Sequence, residues 1–135
     1  MSTEWSKAGG IAGRGVLIDY EAYARRHNIK HKIPGRVAIT HHDLDAIAKE
    51  QNLEFRPGDI LIVRTGYTKW HEEASHEERL KGTSFHEYPG VEVSEDCVKW
   101  MWKHHFAAVA SDAPAFETVP PLDPYWSFCP FCRLG

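Results

Sequence analysis

Three short apolar runs stand out in an otherwise polar chain: "GVLIDY" over residues 15–20, "DILIVRT" over 59–65 and "FAAVASD" over 106–112. Glycine or aspartate bounds each of them, and each has the length of a strand rather than a helix. The uninterrupted Ile60-Leu61-Ile62-Val63 in the second run predicts a strand covered on both faces.

Between the runs, apolar positions recur with helical spacing. "YEAYARRHN" holds good helix formers and ends at Asn28, a residue that suits a helix C-terminus. "ITHHDLDAIAKEQN" opens on Thr40 with Asp43 three residues later, a cap arrangement, and then repeats Leu44, Ile47 and Ala48 on one side. "YTKWHEEASHEERLKG" predicts one polar helix. "SEDCVKWMWKHH" predicts another, capped by Ser94, with Val98, Met101, Trp102 and His105 as its apolar stripe. Pro34-Gly35 and Pro57-Gly58 mark turns. The first stretch, to about Gly15, is glycine-rich and weakly patterned. The predicted order is β, α, α, β, α, α, β, an α/β architecture. In such folds ligands gather beyond the carboxyl ends of strands. Arg64-Thr65-Gly66 and Ser111-Asp112-Ala113-Pro114 stand at two such ends.

Length and charge narrow the classes. At 135 residues the chain suits one domain with one core. A net charge of -3 argues against a nucleic-acid partner, which needs a basic face. No run approaches the roughly 20 apolar residues that span a bilayer, and "MSTEWSKAGGIAGRG" has no apolar signal core, so no membrane partner is expected. Three cysteines, an odd number, fit a reducing compartment, and a cytoplasmic protein is expected.

The histidines offer little metal chemistry. In "WHEEASHEE", His71 and His76 are five apart and diverge on a helix, whereas a metal needs i and i+4. The pairs His41-His42 and His104-His105 are adjacent and diverge by about 100°. The last two suit the negative end of a helix dipole. His27 and His31 are four apart, but the helix is expected to end between them. No G-x-S-x-G elbow is present, and Gly9-Gly10 and Gly13 precede the first strand instead of following it. Two side chains remain. Asp112 could orient a substrate, or satisfy loop N–H groups. Arg64 could clamp a carboxylate, or pair with a buried Asp or Glu.

Taken in order, "GRGVLIDYEAYA", "ITHHDLDAIAKEQNLEFRPGDILIVRTGYT" and "FAAVASDAPAFE" resemble the cyclase family of metal-dependent hydrolases, which includes kynurenine formamidases. The likeness runs from about Trp5 to Pro121 and is nearest the fungal branch. It implies a swivelling β/β/α fold, commonly dimeric, using zinc or manganese to hydrolyse a small-molecule amide such as N-formyl-kynurenine in tryptophan breakdown. The family's H-x-G-T-H-x-D ligand signature lies upstream of the segment matched by "GRGVLIDY", and this chain supplies no counterpart. A partial cyclase-type fold over residues 1–121, truncated at both ends, is therefore expected. No catalytic or metal-ligating residue is assigned, and no tightly bound ion is expected. Arg64 and Asp112 match family positions and are held as substrate-side or ligand-supporting groups. The alternative is a non-catalytic interaction module, a homo-oligomer or one that pairs with an intact paralogue.

The end of the chain, "YWSFCPFCRLG", carries Cys129 and Cys132 as C-x-x-C. Pro130 lies inside the pair and only three residues follow it, so there is no helix to lower a thiol pKa, and a zinc site needs two more ligands. Residues 122–135 are expected to be a divergent, disordered tail without chemistry of its own.

Overall fold

The computed structural model describes residues 4–84 and 87–121. The tail and its two cysteines lie outside the described residues. A short helix α1 (Glu4–Lys7) leads through a loop to β1 (Gly15–Asp19). Then follow α2 (Tyr20–Arg26), β2 (Ala38–Ile39), α3 (His41–Glu50), β3 (Ile60–Arg64), α4 (Tyr67–Glu73), α5 (His76–Ser84), β4 (Gly90–Val91), α6 (Glu95–Lys103) and β5 (Ala108–Ser111). The three long strands form a parallel sheet in the order β1-β3-β5. The register pairs Leu17 with Ile62 and Ile62 with Ala110. β2 and β4 form a separate two-stranded parallel ribbon. The architecture is α/β.

Local chemistry sets the helix starts. Thr40 accepts from the Asp43 amide at 3.2 Å while Asp43 accepts from the Thr40 amide at 2.9 Å, a reciprocal cap. Ser94 accepts from the Cys97 amide at the head of α6. The polar stretch predicted as one helix is two. Ser75 breaks it, because its hydroxyl caps the Glu78 amide and Glu78 returns a bond to the Ser75 amide at 2.8 Å. The stretch Ser75-His76-Glu77-Glu78 is thus a cap motif that the sequence displays and the prediction overlooked. Asn28 takes a left-handed φ of 52° just beyond α2, the conformation expected after a helix end.

The core lies on one side of the sheet. Ile18, Leu61 and Val63 point into it and pack in one cluster with Leu44 and Ile47 of α3 and Val98 and Met101 of α6, all buried. Each fully buried aliphatic side chain contributes about 1.5–3 kcal/mol relative to exposure. The other face of the sheet presents Leu17, 44% exposed, and Ile62, 37% exposed. The expectation that β3 is covered on both faces is therefore not met among the described residues: its alternation is one-sided. The stripe on α6 also differs from the prediction. Cys97, Val98, Trp100 and Met101 are buried, whereas Trp102 is 54% exposed and His105 lies past the helix end. Trp100 is drawn inward because its indole Nε1–H donates to Asp45 of α3 at 2.7 Å and its ring packs on Phe55 and Phe106. His104 sits in the same aromatic group, 4.8 Å from Phe55, where burial pushes its pKa down.

Candidate functional site

The three parallel strands end together, and two ion-paired carboxylates and a third that caps backbone amides gather there. Asp19, the last residue of β1, caps α2 by accepting from the Ala22 amide at 2.9 Å. In the strand register it stands opposite Arg64, the last residue of β3. Arg64 donates to both oxygens of Asp19, at 3.0 and 2.9 Å, and to Glu21 at 3.3 Å. Lys69, on α4, donates to the other oxygen of Glu21 at 2.8 Å. The result is a chain of alternating charges, Asp19 to Arg64 to Glu21 to Lys69. Within it the Lys69 hydrogen bond, with the charges of Lys69 and Arg64, outweighs burial and holds the Glu21 carboxyl below its usual range. Burial opposes the charge of Arg64, but the hydrogen bond and charge of Asp19 more than offset it, so the guanidinium pKa is raised.

Asp112, just past β5, reaches across to the turn that follows β3. It accepts from the Thr65 amide and hydroxyl, both at 2.7 Å, from the Gly66 amide at 3.1 Å and from the Thr68 amide at 3.3 Å. The Thr68 hydroxyl closes the loop by donating to the Asp112 carbonyl at 3.0 Å. One side chain thus satisfies three backbone donors at the head of α4, which lacks a side-chain cap of its own. Gly66 permits the turn: its φ is +92°, and a Cβ there would stand 2.8 Å from Glu21 Cγ.

Both sequence candidates therefore sit at the strand ends. Arg64 is engaged by two carboxylates, and Asp112 by a loop's amides and hydroxyl. Glu21 and Lys69 complete the cluster and were missed. Glu21 sits in a helix and Lys69 in a polar run, and only the fold brings them together across 48 residues. The chemistry available to this set is positional: it locks the turn 65–68 against the first and third strands of the sheet.

Residues 4–118 match the family model described as "Putative cyclase". The chain belongs to the cyclase family. A solved structure described as the crystal structure of a novel cyclase is similar to it, with 31% identity and a TM-score of 0.66. The alignment covers 84% of this chain and 35% of that one, so this cyclase-family chain spans about a third of that structure's length. Nothing matches among curated proteins.

A divalent ion does not fit the residues described in this cyclase-family chain. No group of three His, Cys, Asp or Glu side chains among them is placed to hold one. The strand-end carboxylates Asp19 and Glu21 already have Arg64 and Lys69 as counter-ions, and Asp112 is filled by amide and hydroxyl donors. His27 pairs with Glu50 at 2.6 Å, whereas His31 faces Tyr20. The rings of His41 and His42 stack on each other at 3.9 Å. His71 and His76 lie exposed on different helices. Cys97 is buried in the core, where desolvation raises its thiol pKa. No described helix is long and apolar enough to cross a membrane.

Proposed function

We propose that this chain carries part of a metal-dependent amide hydrolase of the arylformamidase type, cleaving N-formyl-kynurenine to kynurenine in tryptophan breakdown. The observation that carries the reading is the family match over residues 4–118, which takes in all three long strands and the cluster at their ends. In this reading the charge chain of Asp19, Arg64, Glu21 and Lys69, with Asp112, is scaffold. It fixes the turn after β3 beside the place where a substrate-binding surface would form. The family's zinc or manganese would be held by residues outside those described, so no step is assigned to an ion here. The 135-residue polypeptide alone is expected to show no turnover.

Two assays separate the parts of this reading. The purified chain, incubated with N-formyl-kynurenine and added zinc or manganese, should release kynurenine no faster than buffer; metal-dependent release would refute the claim of inactivity. Sequencing the transcript tests the family activity. A transcript joining this chain to an H-x-G-T-H-x-D segment should encode a protein that releases kynurenine, and such a protein without that activity would end the arylformamidase reading.

A second reading has its own observation. The open sheet face, with Leu17 and Ile62 exposed side by side in register, suits a module that pairs with an intact paralogue, because parallel sheets are ordinarily covered on both faces. Co-elution with such a paralogue, abolished by Leu17→Lys with Ile62→Lys, would favour it. A monomer indifferent to the paralogue would argue against it.

A further inference from the structure

The loop between α2 and β2 is built unlike the strand-end cluster. From Ala22 to His42 the chain contains no acidic residue, and Lys30, His31, Lys32 and Arg36 fall in the middle of this stretch. These four residues line one cavity of about 430 Å³, beside the end of β1, where Tyr20 directly follows Asp19. That volume lies within the ordinary range for small-molecule sites.

The cations of this cavity lack carboxylate partners among the described residues. Arg14, Arg26, Arg56, Arg64, Lys69, Lys81 and Lys99 each have a carboxylate within reach, whereas Arg25, Lys49 and Lys103 have none among the described residues but stand apart from one another on separate helices. Among the described residues Lys30, Lys32 and Arg36 have none. Arg36 donates through Nε to the Pro120 carbonyl at 2.7 Å, but its Nη2 is buried with no hydrogen-bond partner. A buried guanidinium nitrogen left unsatisfied is costly, so native proteins rarely keep one without a purpose. One acidic side chain, Glu87, stands on the wall, against three fixed cations and a histidine. The neighbouring cavity, about 570 Å³, shares Lys32, Pro34, Gly35 and Glu87, but its other charged groups, Glu78 and Lys81, are already engaged by Ser75 and Glu77.

We infer that this cavity binds a phosphate group. Three cations lining one cavity favour a dianion over a monocarboxylate, and a guanidinium such as that of Arg36 is a donor suited to an oxyanion. His31 contacts the Ile29 carbonyl through Nδ1 at 3.2 Å, which leaves Nε2 for the ligand. Tyr20, in edge contact with His31 at 5.6 Å, and Pro34 give an apolar side against which an organic body could lie. The site owes nothing to the amide-hydrolase reading and stands if that reading fails.

The test is a titration of the ¹⁵N-labelled full chain with sodium phosphate, ionic strength being held constant with sodium chloride. Saturable shifts confined to the amides of residues 30–37 are expected, and Lys30→Gln with Lys32→Gln should weaken them at least tenfold. Unchanged resonances elsewhere in that variant would show its fold to be intact. A parallel titration with phenyl phosphate distinguishes the source of the group. Tighter binding than inorganic phosphate points to a phosphate monoester, and equal binding to the free ion. Shifts that chloride reproduces, that spread over the whole surface, or that the double variant leaves unchanged would overturn the inference.

Discussion

The strand-end cluster and the α2–β2 loop cavity lie next to each other and handle charge in opposite ways. At the strand ends each side chain has partners: Arg64 has Asp19 and Glu21, Lys69 has Glu21, and Asp112 has three amides and a hydroxyl. In the cavity Lys30, Lys32 and Arg36 stand with no carboxylate partner among the described residues, and one Arg36 guanidinium nitrogen is buried without a hydrogen bond. A charge that is fully paired within the chain contributes to holding the fold. A charge held near its like, without a partner, does not, and its placement asks for a ligand. The location favoured by general rules of α/β proteins thus holds paired side chains, and the cations without a described partner lie one loop away.

Asp112→Ala is the sharpest way to break this contrast. It leaves the Thr65, Gly66 and Thr68 amides at the head of α4 without their acceptor. A loss of about 3 kcal/mol of stability is expected, since each orphaned donor costs roughly 1–3 kcal/mol and water recovers part of it. Asp112→Asn retains one acceptor oxygen and should lose about half as much. Urea denaturation followed by far-ultraviolet circular dichroism reads both. If Asp112→Ala leaves the midpoint unmoved, the cluster is not scaffold and Asp112 becomes a free substrate-side group.

A smaller effect comes from acid. The Glu21 carboxyl titrates below its ordinary value in the folded chain, so the unfolded chain takes up the proton first as pH falls. Its contribution is therefore complete above about pH 4.5 and disappears as pH drops through the lower folded value. Glu21→Gln should be less stable than the parent by about 1 kcal/mol or less at pH 7, because Lys69 and Arg64 are partly exposed and solvent screens the pairs. The gap should be smaller at pH 3 than at pH 7. Paired melting curves at the two pH values measure it, and a gap that stays constant would mean that Glu21 acts by packing alone.

How much of this was legible beforehand follows the range of the forces. β1, β3 and β5 were visible as apolar runs, and α3 and α6 from Thr40 and Ser94, because strand runs and caps are written in a few adjacent residues. The ribbon of β2 and β4 was not, since two-residue strands held by Ala38–Gly90 and Ile39–Val91 pairing carry almost no local pattern. One-sided burial of β3 escaped for a related reason. Four consecutive apolar residues look the same whether one or two layers cover them, and only packing decides that Ile62 faces outward. At the site, Arg64 and Asp112 were found from their places at strand ends. Their partners were not, because Asp19 meets Arg64 only through parallel register and Glu21 meets Lys69 only where the starts of α2 and α4 come together. The loop cavity had a local signal in its acid-free basic stretch, but the placing of Lys30, Lys32 and Arg36 around one hollow depends on a loop path that residue spacing does not encode.

The smallest predicted effect concerns that hollow, and its sign carries the information. Lys30→Gln with Lys32→Gln removes two cations that no described carboxylate holds, so no pair is broken and no donor is orphaned. Stability should change by no more than about 0.5 kcal/mol. The direction should be toward greater stability, because the change relieves repulsion with Arg36 and with each other. That relief should be larger at about 0.01 M salt, where the Debye length is roughly 30 Å, than at 0.1 M, where it is about 10 Å. Denaturation midpoints at the two ionic strengths give the comparison. A clear loss of stability at low salt would show that these lysines make attractive contacts within the chain. The loop would then belong with the strand-end cluster, and the distinction between paired scaffold and unpaired site would collapse at the residues on which it rests.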